Sequence, residues 1–189
     1  DADGNYKITL KHDIQRTVEI PDTWENVTID LNTHTIKGAD AVAETTADGG
    51  AAGAAQSAKA GLIFKKDASV KRNPGTTLTI ANGTIQGGNG VTGMGSAAGV
   101  ETAANAPTNA KIIVGKDAQI LGGNGANAKD NSGENGGNGG VGIQGAITVT
   151  VLENGRVKGG NGGNGANVID GAPAGTIVGQ GGKGGQGTE

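Results

Sequence analysis

Leu78-Thr79-Ile80-Ala81-Asn82-Gly83-Thr84-Ile85-Gln86-Gly87-Gly88-Asn89-Gly90 reads as an alternating strand, a turn, one more apolar residue and a glycine stop. The same order of residue types occurs three more times. It runs from Val27-Thr28-Ile29-Asp30-Leu31 to Thr35-Ile36-Lys37-Gly38. It runs from Ile112-Ile113-Val114 to Gln119-Ile120-Leu121-Gly122-Gly123-Asn124-Gly125. It runs again from Val149-Thr150-Val151 to Arg156-Val157-Lys158-Gly159-Gly160-Asn161-Gly162. Self-similarity at a fixed spacing signals a stack of like units, each unable to bury its apolar face alone.

Side chains alternate across a strand, so Ile29/Leu31, Leu78/Ile80, Ile112/Val114 and Val149/Val151 fall on one face. Ile36, Ile85, Ile120 and Val157 continue that face after each turn. Stacking turns these positions into apolar ladders with a rung spacing of about 4.8 Å. The turns are Asn32-Thr33-His34, Ala81-Asn82-Gly83, Gly115-Lys116-Asp117 and Glu153-Asn154-Gly155. Asn, Asp and Gly suit the left-handed backbone of such turns.

A second motif, a small residue with glycine and then a short strand, precedes each later repeat. It occurs at Ala60-Gly61-Leu62-Ile63-Phe64, Ala98-Gly99-Val100, Gly140-Val141-Gly142-Ile143 and Ala174-Gly175-Thr176-Ile177-Val178. One repeat then holds three strands. The expectation is an all-β chain: a right-handed parallel β-helix, or β-solenoid, with glycine-rich, polyglycine-II-like extended loops. Residues 1–26, with Tyr6 and Trp24, read as an N-terminal cap, and residues 27–189 as the coils of a single domain. Residues 41–60 read as a long excursion. No full coil follows Gly175, which leaves room for a cap or for further domains of the same protein.

Composition agrees. The chain has 189 residues, of which 39 are Gly, 2% are aromatic and none is Cys. A thin core of stacked Ile, Val, Leu and Ala is what so few aromatics permit. Glycine runs such as 159–167 and 181–187 keep a three-residue period, which suits an extended rod with three residues per turn. Asn89, Asn124 and Asn161 fall at equivalent positions. They form an asparagine ladder in which each amide bonds to the next, or they only tolerate a left-handed turn beside glycine.

The net charge of −3 and the lack of a Lys/Arg cluster give no footing for nucleic acid. No apolar run reaches membrane-spanning length, so no membrane insertion is expected. Asp30, Asp117, Glu134 and Glu153 belong to different repeats, so no carboxylate pair for glycoside chemistry is indicated. His12 and His34 offer no catalytic triad or metal set, and His34 reads as a polar turn residue. Gly159-Gly160-Asn161-Gly162 is similar to the calcium repeat G-G-x-G-x-D, but Asn and Gly replace the acid, so no metal is expected. No cofactor motif is present, and the chain reads as a non-enzyme.

The stretch Val18, Ile20-Pro21 and Val27 through Gly38 resembles the opening coils of pectate-lyase-like right-handed β-helices. Thr33 stands where that pattern usually has Gly. The later coils resemble those of large bacterial surface proteins and adhesins. The resemblance implies a secreted or wall-attached bacterial location. It makes an adhesin, presenting a rigid face to a host or neighbouring-cell glycan or protein, the leading expectation. Candidate ligand residues are Asn89, Asn124, Asn161 and Asn164, with Trp24 as an aromatic platform. Two other functions stay open: a ligand-free stalk or spacer, and an ice-binding protein using Thr77/Thr79 and Thr148/Thr150. Against ice binding, the Thr array is broken at Thr28/Asp30 and Lys111/Ile113.

Overall fold

Val27 and Ile29 alternate with Asn26, Thr28 and Asp30, and the alternation makes β3 (Asn26–Asp30), with the two apolar side chains buried and their neighbours outside. In the computed structural model, which describes residues 5–21, 24–44, 54–64, 77–102, 110–145 and 147–188, this strand belongs to a five-stranded parallel sheet. Its order is β1 (Asn5–Thr9), β3, β6 (Thr77–Ala81), β9 (Lys111–Val114) and β12 (Thr148–Val151). A second parallel sheet holds β4 (Thr35–Lys37), β7 (Gly83–Gln86), β10 (Ala118–Leu121) and β13 (Arg156–Lys158). A third holds β2 (Val18–Ile20), β5 (Leu62–Phe64), β8 (Val100–Thr102) and β11 (Ile143–Gln144). The chain is all-β, with no helix among the described residues.

From β3 onward the chain visits the first, second and third sheets in turn, laying one strand on each before starting again. Ladders of like residues result. Val27 pairs Leu78, which pairs Ile112, which pairs Val149. Ile36, Ile85, Ile120 and Val157 form the ladder of the second sheet. Leu62, Val100 and Ile143 form that of the third. Ile29, Leu31, Ile36, Leu78, Ile80, Ile85, Ile112, Val114 and Ile120 are all 0–1% exposed. Burying each such side chain contributes about 1.5–3 kcal/mol.

Several expectations need correcting. The register pairs Ile29 with Ile80, not with Leu78, because the first turn (31–34) is two residues longer than the turn at 82–83. A slip of two keeps every side chain on its own face, so the inward set survives the misalignment. Leu31 is buried at the head of that longer turn, and its N–H donates to the Ala81 carbonyl. Val151 was expected in the core but is 48% exposed, and Val149 and Val157 are only partly buried. β12 and β13 end their sheets, with no further strand paired to their outer edges among the described residues.

The short strand expected after Gly175 does not form, and Ile177 and Val178 are each 67% exposed. The third-sheet position of that coil is taken instead by Thr188, which bridges Ile143 in parallel. Strands also form within the segment expected to be a cap. β1 and β2 are the first rungs of two sheets, and Ile14 bridges Ile36 of the second. Tyr6 and Trp24 stack there with ring centroids 4.2 Å apart. Part of the excursion at 41–60, residues 45–53, lies outside the described residues.

Candidate functional site

The glycine runs leave the second sheet, reverse and return to the third. Outgoing runs cover 38–42, 87–90, 122–131 and 159–168; return runs cover 96–99, 134–142 and 178–187. An extended backbone with three residues per turn aims successive N–H groups in three directions. The backbone hydrogen bonds of the runs recur at every third residue.

In one direction Gly122, Gly125, Ala128 and Asn131 donate to the carbonyls of Lys158, at the end of β13, and of Asn161, Asn164 and Asn167 in the next outgoing run. Return runs match this, with Gly136, Gly139 and Gly142 donating to Gln180, Lys183 and Gln186. In the second direction the two layers bond to each other. Gly140 and Gly137 donate to Gly123 and Ala126, and Gly160 and Gly163 donate to Gly140 and Gly137, at 2.7–2.8 Å. Backbones approach so closely that a Cβ on Gly160 would overlap the Gly123 carbonyl oxygen. Only glycine fits there.

The third direction faces outward, where no run among the described residues is present to accept. Side chains of the preceding coil take that role. Asn124 N–H donates to Asn89 Oδ1 at 2.9 Å, and Asn161 N–H to Asn124 Oδ1 at 2.9 Å. Asn164 N–H donates to Asn127 Oδ1 at 2.8 Å. At the start of the first column Asn89 N–H donates to Asp40 Oδ1 at 2.7 Å. A third column joins Asn167 to Asp130. The other layer repeats the device, with Gln180 and Lys183 N–H groups donating to Asn135 and Asn138 Oδ1 at 2.8 Å.

The ladder expected at Asn89, Asn124 and Asn161 therefore exists, but its bonds run from side-chain oxygen to backbone N–H rather than from amide to amide. None of the three asparagines has positive φ, so tolerance of a left-handed turn does not explain them. Asn164 lies on the same face, one step along the run from Asn161. Trp24 does not join them. It packs on Tyr6 and against the core beside the first sheet. Asn127, Asp130, Asn135, Asn138 and Asp40 were missed. The signal was present as three-residue spacing in Asn124/Asn127/Asp130 and Asn161/Asn164/Asn167.

Partial burial opposes ionisation of Asp40, but the Lys37 ammonium at 2.8 Å and the Asn89 N–H outweigh it and lower its pKa. Asp30 is held below the usual carboxylate range by the Asn82 side-chain amide and the Asn32 N–H, each 3.0 Å away. Asp13 is lowered by the Thr35 N–H at 2.9 Å and by His34, whose Nδ1 is 3.3 Å away.

Two open hollows lie elsewhere. One, of about 550 Å³, runs along the outer column Ile63, Glu101 and Gln144 of the third sheet, beside Lys59, Ser96 and residues 139–141. The other, of about 450 Å³, lies over the turns and brings Asp30 and Asp117 to one place with Asn32, Asn82 and Gln119. The sequence had these two acids apart; Glu134 and Glu153 are not part of that hollow. No group of three or more His, Cys, Asp or Glu is placed to hold a metal ion among the described residues. On the first sheet, Lys111 and Ile113 fall in the columns of Thr77 and Thr79, and Asn26 and Thr28 precede them. Compared with models of protein families, with curated proteins and with solved structures, the chain matches none.

Proposed function

We propose that this chain is a non-catalytic adhesin module of a bacterial cell surface. In this reading it is a right-handed parallel β-helix of the kind that pectate-lyase-like sequences resemble, with its glycine runs gathered into a polyglycine-II bundle. The observation that carries the proposal is the outward amide face. Asn89, Asn124 and Asn161, with Asn127 and Asn164 beside them, stand in columns on a backbone held by bonds in two other directions. A preorganised polar face loses little entropy when it meets a ligand. The partner is a host or neighbouring-cell glycan or protein.

A ligand-free stalk is the second reading. It is favoured by the interlayer hydrogen bonds, which stiffen the runs without requiring a ligand. An ice-binding role is the weaker alternative, because Lys111 and Ile113 interrupt the Thr columns.

A glycan and matrix-protein array probed with this chain, with and without Ca²⁺, tests the proposal. Saturable binding to one class, weakened by substitutions on the amide face, is the expected result. No binding across the array favours the stalk.

A further inference from the structure

In the inner rungs of the amide face, each asparagine has its two ends in different states. The Oδ1 atoms of Asn89, Asn124 and Asn127 are committed to the N–H groups of Asn124, Asn161 and Asn164. Each such bond fixes the amide plane and settles which end points away from the backbone. The Nδ2 groups of these three make no hydrogen bond among the described residues, and Asn124 and Asn127 are exposed. An amide nitrogen carries two donors and no acceptor. At these three positions the group left for a ligand is therefore chiefly an N–H donor.

These donors recur at two spacings. Neighbouring runs lie about 4.8 Å apart. Donors along one run recur every three residues, about 9 Å, which is close to the length of two linked sugar rings. The columns contain no Lys or Arg, while Asp40 and Asp130 stand at their margins. A polyanion would meet the Asp130 carboxylate, while Lys37, beside the start of the first column, is already paired with Asp40 at 2.8 Å. A neutral polymer carrying carbonyl acceptors at regular intervals finds complementary donors at Asn89, Asn124 and Asn127.

We infer that the asparagine face binds a neutral, extended polysaccharide bearing acetamido groups, whose carbonyl oxygens accept from the Nδ2 donors of Asn89, Asn124 and Asn127. This rests on the surface-binding function proposed above and specifies the ligand for it. The near-absence of aromatic platforms fits such a ligand, because amide-to-carbonyl bonding replaces stacking on a ring face.

The test uses the whole chain and two insoluble polymers with the same β-1,4 backbone: chitin, which carries the acetamido group, and cellulose, which lacks it. The variant carries Asn124→Asp and Asn127→Asp together. Each carboxylate keeps an oxygen for the N–H of Asn161 or Asn164, while it replaces the outward donors by an acceptor oxygen and adds a negative charge. Retention on chitin over cellulose is expected, falling about tenfold or more in the variant as two donors are lost, with an unchanged melting temperature. Equal retention on both polymers, or a variant that binds chitin as well as the parent, overturns the inference. Binding to neither polymer, with a hit elsewhere on the glycan and matrix-protein array, overturns the acetamido ligand and leaves the adhesin function standing. Binding to nothing in either panel overturns both.

Discussion

The side-chain oxygen of Asn124 accepts the backbone N–H of Asn161 at 2.9 Å, across 37 residues of sequence. In the two inward directions a glycine N–H finds a carbonyl of a neighbouring run. In the outward direction the asparagine of the coil before supplies that carbonyl. Asn124 is thus a substitute for a missing strand, and its nitrogen is left facing solvent.

Replacing it tests that role. Asn124→Ala should destabilise the chain by about 0.5–1.5 kcal/mol, the net worth of one hydrogen bond. Amide exchange should speed up at Asn161 and stay unchanged at Asn164, whose acceptor is Asn127. Asn124→Asp should leave exchange at Asn161 protected at neutral pH.

Gly160→Ala should be far more damaging than its size suggests. The added methyl meets the backbone of Gly123 and Gly122, which have no flexible end to move aside. A cost of about 1–3 kcal/mol or more is expected from overpacking, read as a lower urea midpoint. The control is Gly181→Ala, where a Cβ would approach only the Gly163 carbonyl oxygen at 3.6 Å. That variant should melt close to the parent.

Thr33 is a β-branched residue at φ 68°, exposed in the turn before β4. That backbone region costs an L-residue roughly 1–2 kcal/mol, and glycine escapes it. Thr33→Gly should stabilise the chain by about 0.5–1 kcal/mol once the greater freedom of glycine in the unfolded chain is subtracted. The Thr33 N–H bond to the Asn82 carbonyl involves no side chain and should persist. A fall in melting temperature would contradict this account of the turn.

Stability should fall on the acid side. Asp30, Asp13 and Asp40 all have folded pKa values below their ordinary ones. A depressed carboxylate contributes stability that is fully present above its unfolded pKa, about 3.9, and is lost as pH falls through the folded value. The melting temperature should be flat in this respect above about pH 5 and drop below pH 4. Asp30→Asn should flatten part of that drop, because its pairing with Asn82 and Asn32 no longer titrates.

Most of the fold was legible because two periods coexist in the sequence. Alternation marked the strands, and the recurrence of Ile36, Ile85, Ile120 and Val157 after each turn marked the ladder of the second sheet. What misled was turn length. The two extra residues before β4 shifted β3 against β6, and no composition signal reports such an insertion. Val151 has a core residue's chemistry but sits on a terminal rung, and exposure there depends on what lies above, which residue type does not encode. The asparagines were found as a column, but their partners were not, because an amide can bond an amide or a backbone N–H equally well. Only the three-direction geometry of the runs decides between them.

The most direct test of the account is residue-resolved amide hydrogen exchange of the glycine runs at neutral pH. The N–H groups of Gly137, Gly140, Gly160, Gly163, Gly182 and Gly185 each have a carbonyl partner in the facing layer at 2.7–2.8 Å. The account predicts that these six exchange slowly, while Gly181 and Gly184, on the outer edge of the last return run, exchange fast. Exchange of all eight at the rate of an unstructured peptide would mean that the runs are loose loops, and the amide face with its ladder of asparagines would not exist.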